Sequence, residues 1–336
     1  MPKINLHRFL WVLLLWLVAA CGCTGHLWSA PQSPELIQAD GFVIVTATDQ
    51  DSLDSLAQDH LGRADQAFRI ATYNGIDRVA PGQRLVIPRT PLTVWGLRAD
   101  GYQVVPILYY PRIDPDPDAG NTGAISSETL DRQMHYLREN GHVTVSLDQL
   151  HAFLARGAPL PPKAVIVTFD SARRWVHEIA YPILERHGHT AALFVPTAMI
   201  GQAPNMDWNA LAAIAAAGWD IGVMGLGERN LTLIPSDTGT DIYLKLLEDE
   251  IRHSRQLLED NLQRPCLDFA YPDGGTNDLI IALLKQYGYR SAFTRQPGHN
   301  PFFVHPFLVH RTVIDTETSD QRFQDALTTF IPVRLR

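Results

Sequence analysis

From residue 100 onward the chain repeats one pattern: a short apolar run, a segment of helical period, then often a glycine. The runs are VVPILYY, HVTVSL, AVIVTFD, TAALFVP, WDIGVMG, LDFAYP, RSAFT and LVHRTVI. Short runs rich in β-branched and aromatic residues read as buried strands. Between them lie SSETLDRQMHYLREN, RWVHEIAYPILERHG, MDWNALAAIAAAG, YLKLLEDEIRHSRQLLEDNLQ and TNDLIIALLKQYG. Gly188, Gly218 and Gly288 close three of these, as expected of a residue that adopts the left-handed conformation at a helix end. Strand–helix alternation calls for a parallel sheet. This many strands favours a closed or nearly closed βα barrel, whose chemistry gathers at the carboxyl ends of its strands.

AVIVTFD, Ala164 to Asp170, ends a buried strand on a carboxylate. In a barrel that position is the functional rim, so Asp170 is the first candidate site residue. Its alternative is a buried acceptor for neighbouring backbone N–H groups. Other strand ends bring Met224 to Leu231, Tyr271 to Gly274, and Arg311. Arg311 either orients Asp170 or pairs with a surface acid. Trp208 and Trp219 offer sugar-stacking faces, but their helical and strand-start positions favour core packing. Arg173 and Arg174 read as a solvated loop face. With net charge −8 and no cluster of Lys and Arg, a nucleic-acid partner is not expected.

The first residues read as a targeting segment. Lys3 and Arg8 precede FLWVLLLWLVAA, Phe9 to Ala20, which is short for a membrane span of about 20 residues. The ending LVAAC resembles a bacterial lipoprotein lipobox, which implies cleavage before Cys21 and lipid on its sulfur. An export signal with an incidental cysteine is the other reading. Residues 1–20 are thus a lipoprotein signal peptide and 21–40 a linker. The product is expected to be exported and lipid-anchored to the cell envelope. Gly22, not Asp, follows the lipid site, which permits outer-membrane delivery in a Gram-negative cell. Cys23 and Cys266 complete the three cysteines and imply no disulfide framework.

Residues 41–90 read as a small βααβ unit. FVIVTA is a strand, and DSLDSLAQDHLG a helix capped by Asp51 or Ser52 and stopped by Gly62. ADQAFRIATYNG is a second helix ending at Asn74–Gly75, and PGQRLVIP a turn and strand. DSL at Asp51–Leu53, YNGI at Tyr73–Ile76 and VAPGQRLVIP at Val79–Pro88 resemble a LysM domain, with Gln50 where that family usually has glycine. The resemblance implies binding of N-acetylglucosamine-containing chains, and it carries sugar contacts onto Asp51, Ser52, Asn74, Gly75 and Ile76. A LysM-shaped spacer without sugar affinity is the alternative.

Across about Val104 to Ile314, the motifs VPILYYPRI, QMHYLRENGHVTVSLDQL, AVIVTFD, AALFVPTAMIG and DFAYPDG resemble the polysaccharide deacetylase family. FAYP is closest to the branch acting on exported poly-N-acetylglucosamine. The implied fold is α/β: a distorted (β/α) barrel of the polysaccharide deacetylase type over residues 100–336, preceded by the small LysM-like domain. The implied chemistry is metal-assisted amide hydrolysis, with zinc held by one Asp and two His and a second Asp as base. Asp170 matches the base. Ser171, Met224 and Glu228 stand at the three ligand positions, and a hydroxyl, a thioether and a carboxylate make a poor zinc set. Pro111 also stands where relatives often carry His. Tyr271 matches a position whose backbone N–H steadies the oxyanion, or is simply a packed aromatic.

No cofactor is therefore expected. A divalent metal enters only if Asp170, Glu228 and Asp273, with His305 or His310, form a replacement site. Three readings follow. The first is an envelope lipoprotein that binds peptidoglycan or exported N-acetylglucosamine polysaccharide through the LysM-like unit and the old substrate groove of a degenerate, inactive or weakly active deacetylase barrel. The second is an active N-deacetylase releasing acetate, with Asp170, Tyr271 and Arg311 as its catalytic residues. The third is a structural scaffold in envelope or polysaccharide export.

Overall fold

The computed structural model describes residues 37–39, 41–89, 96–98, 101–114, 123–233 and 239–333. The signal peptide, Cys21, Cys23 and nearly all of the linker lie outside the described residues. The chain divides into two compact units, Met1–Thr90 and Pro91–Arg336.

In the first unit Phe42–Thr46 runs antiparallel between Ile37–Ala39 and Arg84–Pro88. Helices Leu53–Leu61 and Ala67–Asn74 complete it. Ser52, not Asp51, is the cap of the first helix: Ser52 and Ser55 each bond the other's backbone, and Gly62 stops the helix at φ 79°. Val43, Leu56, Ala57, Ile70, Leu85 and Ile87 form a separate small core. The strand at Ile37–Ala39 falls where the sequence reads as linker.

The second unit is built on seven parallel strands. They are β1 Ile107–Tyr110, β2 Ala164–Asp170, β3 Ala192–Val195, β4 Asp220–Val223, β5 Asp268–Ala270, β6 Ser291–Phe293 and β7 Thr312–Val313. Their order is β6-β5-β4-β3-β2-β1-β7. Phe293 also bridges in parallel to Val309, just ahead of β7, and this curls the sheet round towards closure. HVTVSL contributes only a two-residue strand, Val143–Thr144, beside the start of β2.

Side-chain alternation sorts each strand into two faces. Val165, Val167 and Phe169 join the larger core with the surrounding helices, while Ala164 and Ile166 join the second, with Phe194, Met224, Ala270, Phe293 and Val309. Parity therefore puts Thr168 and Asp170 on the barrel's inner face. Val309 and Arg311 share a parity too, so Arg311 enters the same interior. All seven β2 residues are buried, so any charge there must be matched from inside. Gly222 on β4 answers to packing: a Cβ there would lie 2.4 Å from the Phe194 ring.

The helices follow their sequence signals closely. Ser126 caps Ser127–Glu139, and Gly188, Gly218 and Gly288 have φ of 74°, 91° and 75°. In Thr240–Leu262 the predicted apolar face holds, with Leu247, Ile251 and Leu258 fully buried. That helix widens by one residue per turn over Asp249–His253, where Ser254 N–H donates to Asp249 O. Such insertions re-aim side chains, and this one carries the buried Glu250.

Candidate functional site at the barrel mouth

Asp170 closes β2 with its side chain wholly buried, and Arg311 meets it there with its own side chain equally buried. Arg311 Nη1 donates to Asp170 Oδ1 at 2.6 Å and Nη2 to Oδ2 at 2.7 Å. Arg311 Nε donates to the Thr294 carbonyl at 2.8 Å. Its guanidinium carbon lies 4.5 Å from the Tyr109 ring centroid and 5.5 Å from that of Phe194. The planar fork thus grips the carboxylate in the two-bond geometry that arginine provides. Of the two sequence readings of Arg311, pairing with a surface acid is ruled out. Burial, and then the charge of Asp170, hold the Tyr109 hydroxyl well above the usual tyrosine range.

The three positions matching metal ligands diverge. Ser171 is buried, and its Oγ accepts from Arg173 N–H at 3.0 Å. Met224 is 2% exposed and packs into the inner core. Glu228 is exposed on the loop beyond it. Asp273, proposed for a replacement site, bonds Arg295 at 2.9 Å. His305 Nδ1 accepts from Phe307 N–H at 3.2 Å, and His310 is tied through its backbone to Asn300. Among the described residues no group of three or more His, Cys, Asp or Glu side chains is placed to hold a metal. Asp170, Glu228 and Asp273 are not gathered into a replacement cluster. The donor chemistry of Ser171, Met224 and Glu228 does not fit zinc, and no step is derived through one.

Of the two readings of Tyr271, the packed aromatic fits. Its backbone N–H donates to the Phe293 carbonyl at 3.0 Å beside the β5–β6 ladder. Its side chain turns outward to the helix-side core, with the hydroxyl donating to Phe307 O at 2.9 Å. Burial pushes that hydroxyl up to about 12. Tyr271 is a packed aromatic. Trp219 is likewise core, 1% exposed and stacked on Phe169 at 5.6 Å, and Trp208 packs against the same cluster. Arg174 is exposed, as expected of a loop face, but its Nε donates to Asn205 O.

Sequence reasoning missed Glu250. From the widened helix its Oε2 accepts Leu226 N–H at 2.7 Å and Gly227 N–H at 3.4 Å. It thereby anchors the loop holding two of the altered ligand positions. Gly225 is required beneath it: φ is 90°, and a Cβ would come within 2.6 Å of Glu250 Oε2. One of three acids in LLEDEIRH carries no signal for this, because the contact depends on a helical insertion.

In the first unit the carried-over sugar residues have local duties. Asn74 Nδ2 donates to Ile70 O at 2.8 Å and Val86 O at 2.7 Å, and its Oδ1 accepts Val86 N–H at 2.9 Å. Both Nδ2 hydrogens are thus engaged within the unit. Asp51 accepts from Thr48 at 2.7 and 2.8 Å, and Ser52 serves the helix cap. Gly75 takes φ 63° at the helix end, and Ile76 packs on the small core.

The curled parallel α/β sheet of the second unit matches that of solved deacetylase structures. Residues 157–292 match the family model described as polysaccharide deacetylase, which supports a domain of that family in the second unit. YxkH, a candidate polysaccharide deacetylase of Bacillus subtilis, is 22% identical over 220 residues, 65% of this chain and 74% of that protein. The poly-β-1,6-N-acetyl-D-glucosamine N-deacetylase of Staphylococcus aureus strain MRSA252 is 21% identical over 197 residues, covering 55% of this chain and 68% of the enzyme. The Escherichia coli K12 enzyme of the same name is 37% identical, but over only 62 residues, 9% of its length. Among solved structures, the Streptococcus pyogenes deacetylase PplD superposes with TM-score 0.60 at 21% identity, covering 67% of this chain and 98% of that one. IcaB from Ammonifex degensii gives 0.58 at 24%, covering 69% and 99%. These likenesses establish the fold.

Proposed function

We propose that this chain is a cell-envelope lipoprotein that binds an N-acetylglucosamine-containing polysaccharide through a deacetylase-type barrel without metal-dependent hydrolysis. One observation carries the reading: the barrel keeps its strand-end carboxylate, but the three matched ligand positions, Ser171, Met224 and Glu228, together make a poor zinc set. Asp170 is instead neutralised by the buried Arg311. The names of the Staphylococcus aureus and Escherichia coli relatives motivate the polysaccharide, and the lipobox-like LVAAC motivates the anchor. No resident cofactor belongs to this reading.

The test is metal analysis of the purified chain together with acetate release from N-acetylglucosamine oligomers. The expected result is binding of the oligomers, substoichiometric metal and no acetate. Stoichiometric metal, with acetate release abolished by Asp170→Asn, would instead establish the second reading, an active N-deacetylase. The family match and the retained Asp170 favour that reading. For the anchor, labelled palmitate should enter the unmodified chain and not Cys21→Ser.

A further inference from the structure

A second cleft, lined mostly by residues outside the matched motifs, lies between two loops of the barrel. It forms where the loop after β2 meets the loop after β3. Met206 N–H donates to Ala172 O at 2.8 Å, Arg174 Nε donates to Asn205 O at 3.3 Å, and Arg173 and Asn205 pair as an isolated bridge. The cleft's lining on the β2 side begins at Arg174, on the same loop that follows Asp170. Its volume is about 450 Å³, inside the roughly 300–1,000 Å³ range of small-molecule sites.

Its chemistry is mixed in sign. Arg174 and His177 line it beside Glu178 and Asp207. The His177 ring, a lining residue, is held by stacking on Tyr181 behind it, with centroids 6.2 Å apart and planes 5° from parallel. Asn205, also lining the cleft, is only 6% exposed. Its Nδ2 donates to Met199 O at 3.0 Å, which sets the orientation of the amide. The Oδ1 that remains is buried without a partner. A buried acceptor left unmade is costly, so a donor supplied from outside is favoured there.

An anionic ligand would face Glu178, Asp207 and the bare Asn205 acceptor. A cationic one would face Arg174. A neutral polyol satisfies both signs, because each hydroxyl donates and accepts, and a pyranose ring offers an apolar face to the His177 ring. The geometry points to this cleft as a second saccharide subsite, which takes a neutral sugar unit of the same chain that enters the barrel mouth. This rests on the glycan-binding reading above and adds to it where a longer polymer is held.

The experiment is calorimetric titration of the full-length chain with N-acetylglucosamine oligomers, dimer against hexamer. A second subsite makes the hexamer bind about tenfold tighter than the dimer. Two variants then test the cleft. His177→Ala with Glu178→Ala removes rim contacts, and Ala210→Trp fills the space without deleting a polar group. Either should abolish the hexamer's advantage and leave dimer affinity unchanged. A hexamer advantage that survives both variants, or is missing in the unmodified chain, overturns the subsite while the mouth reading stands on the dimer. Binding of neither oligomer overturns both.

Discussion

Arg311 and Asp170 place a full positive and a full negative charge in the barrel interior, and that arrangement is stable only as a pair. Removing one partner leaves a buried charge unmatched, which costs about 3–5 kcal/mol. Arg311→Met should lower the unfolding free energy by that amount in urea titrations, and adding Asp170→Asn should recover part of it. If the single and double variants are equally stable, the pair contributes nothing beyond its neighbours. A second carboxylate, Asp220 at the start of β4, accepts Leu147 N–H at 2.7 Å and is pushed up to about 6, chiefly by burial. A carboxyl raised in the folded state keeps its proton there after the unfolded chain has released one. Its contribution is therefore complete below about pH 4 and is lost as pH rises through about 6. Asp220→Asn should flatten that decline, so its gain in melting temperature over the unmodified chain should be larger at pH 7 than at pH 4.5.

At the scale of elements, the loop after β4 is held by one carboxylate from a neighbouring helix. Glu250→Gln keeps the shape but weakens two backbone contacts to Leu226 and Gly227. Hydrogen exchange at those two amides should accelerate, while amides of Leu247 and Leu258 on the same helix stay protected. The same loop decides whether the lost chemistry can return. Ser171→Asp, Met224→His and Glu228→His together should create zinc affinity measurable by calorimetry, at some cost in stability, because Met224 leaves the apolar interior. No gain in zinc affinity would mean that the loop does not carry position 228 within reach of 224.

For the molecule as a whole, the proposed function predicts that the full chain sediments with N-acetylglucosamine polymers, and that added chelator leaves this unchanged. Loss of binding on chelation would assign the glycan site to a metal after all. The βα alternation, the helix caps and the glycine stops were legible because each is local: periodicity and backbone chirality act within a few residues. The identity of Ser171, Met224 and Glu228 was equally legible, and with it the poverty of the donor set, since ligand chemistry is a property of residue type. What stayed hidden involved distance along the chain. The sequence leaves Arg311 two partners, and only the fold selects Asp170, 141 residues away; LLEDEIRH does not announce a turn that aims Glu250 at Gly227. Asn74 looked free for sugar until its amide was seen bonded to Val86. By itself the sequence determined the strands, their order of appearance and the residue types at the mouth. Only the tertiary structure decided which of those groups already had partners, because pairing of buried charge and backbone depends on closure of the barrel and not on any local run.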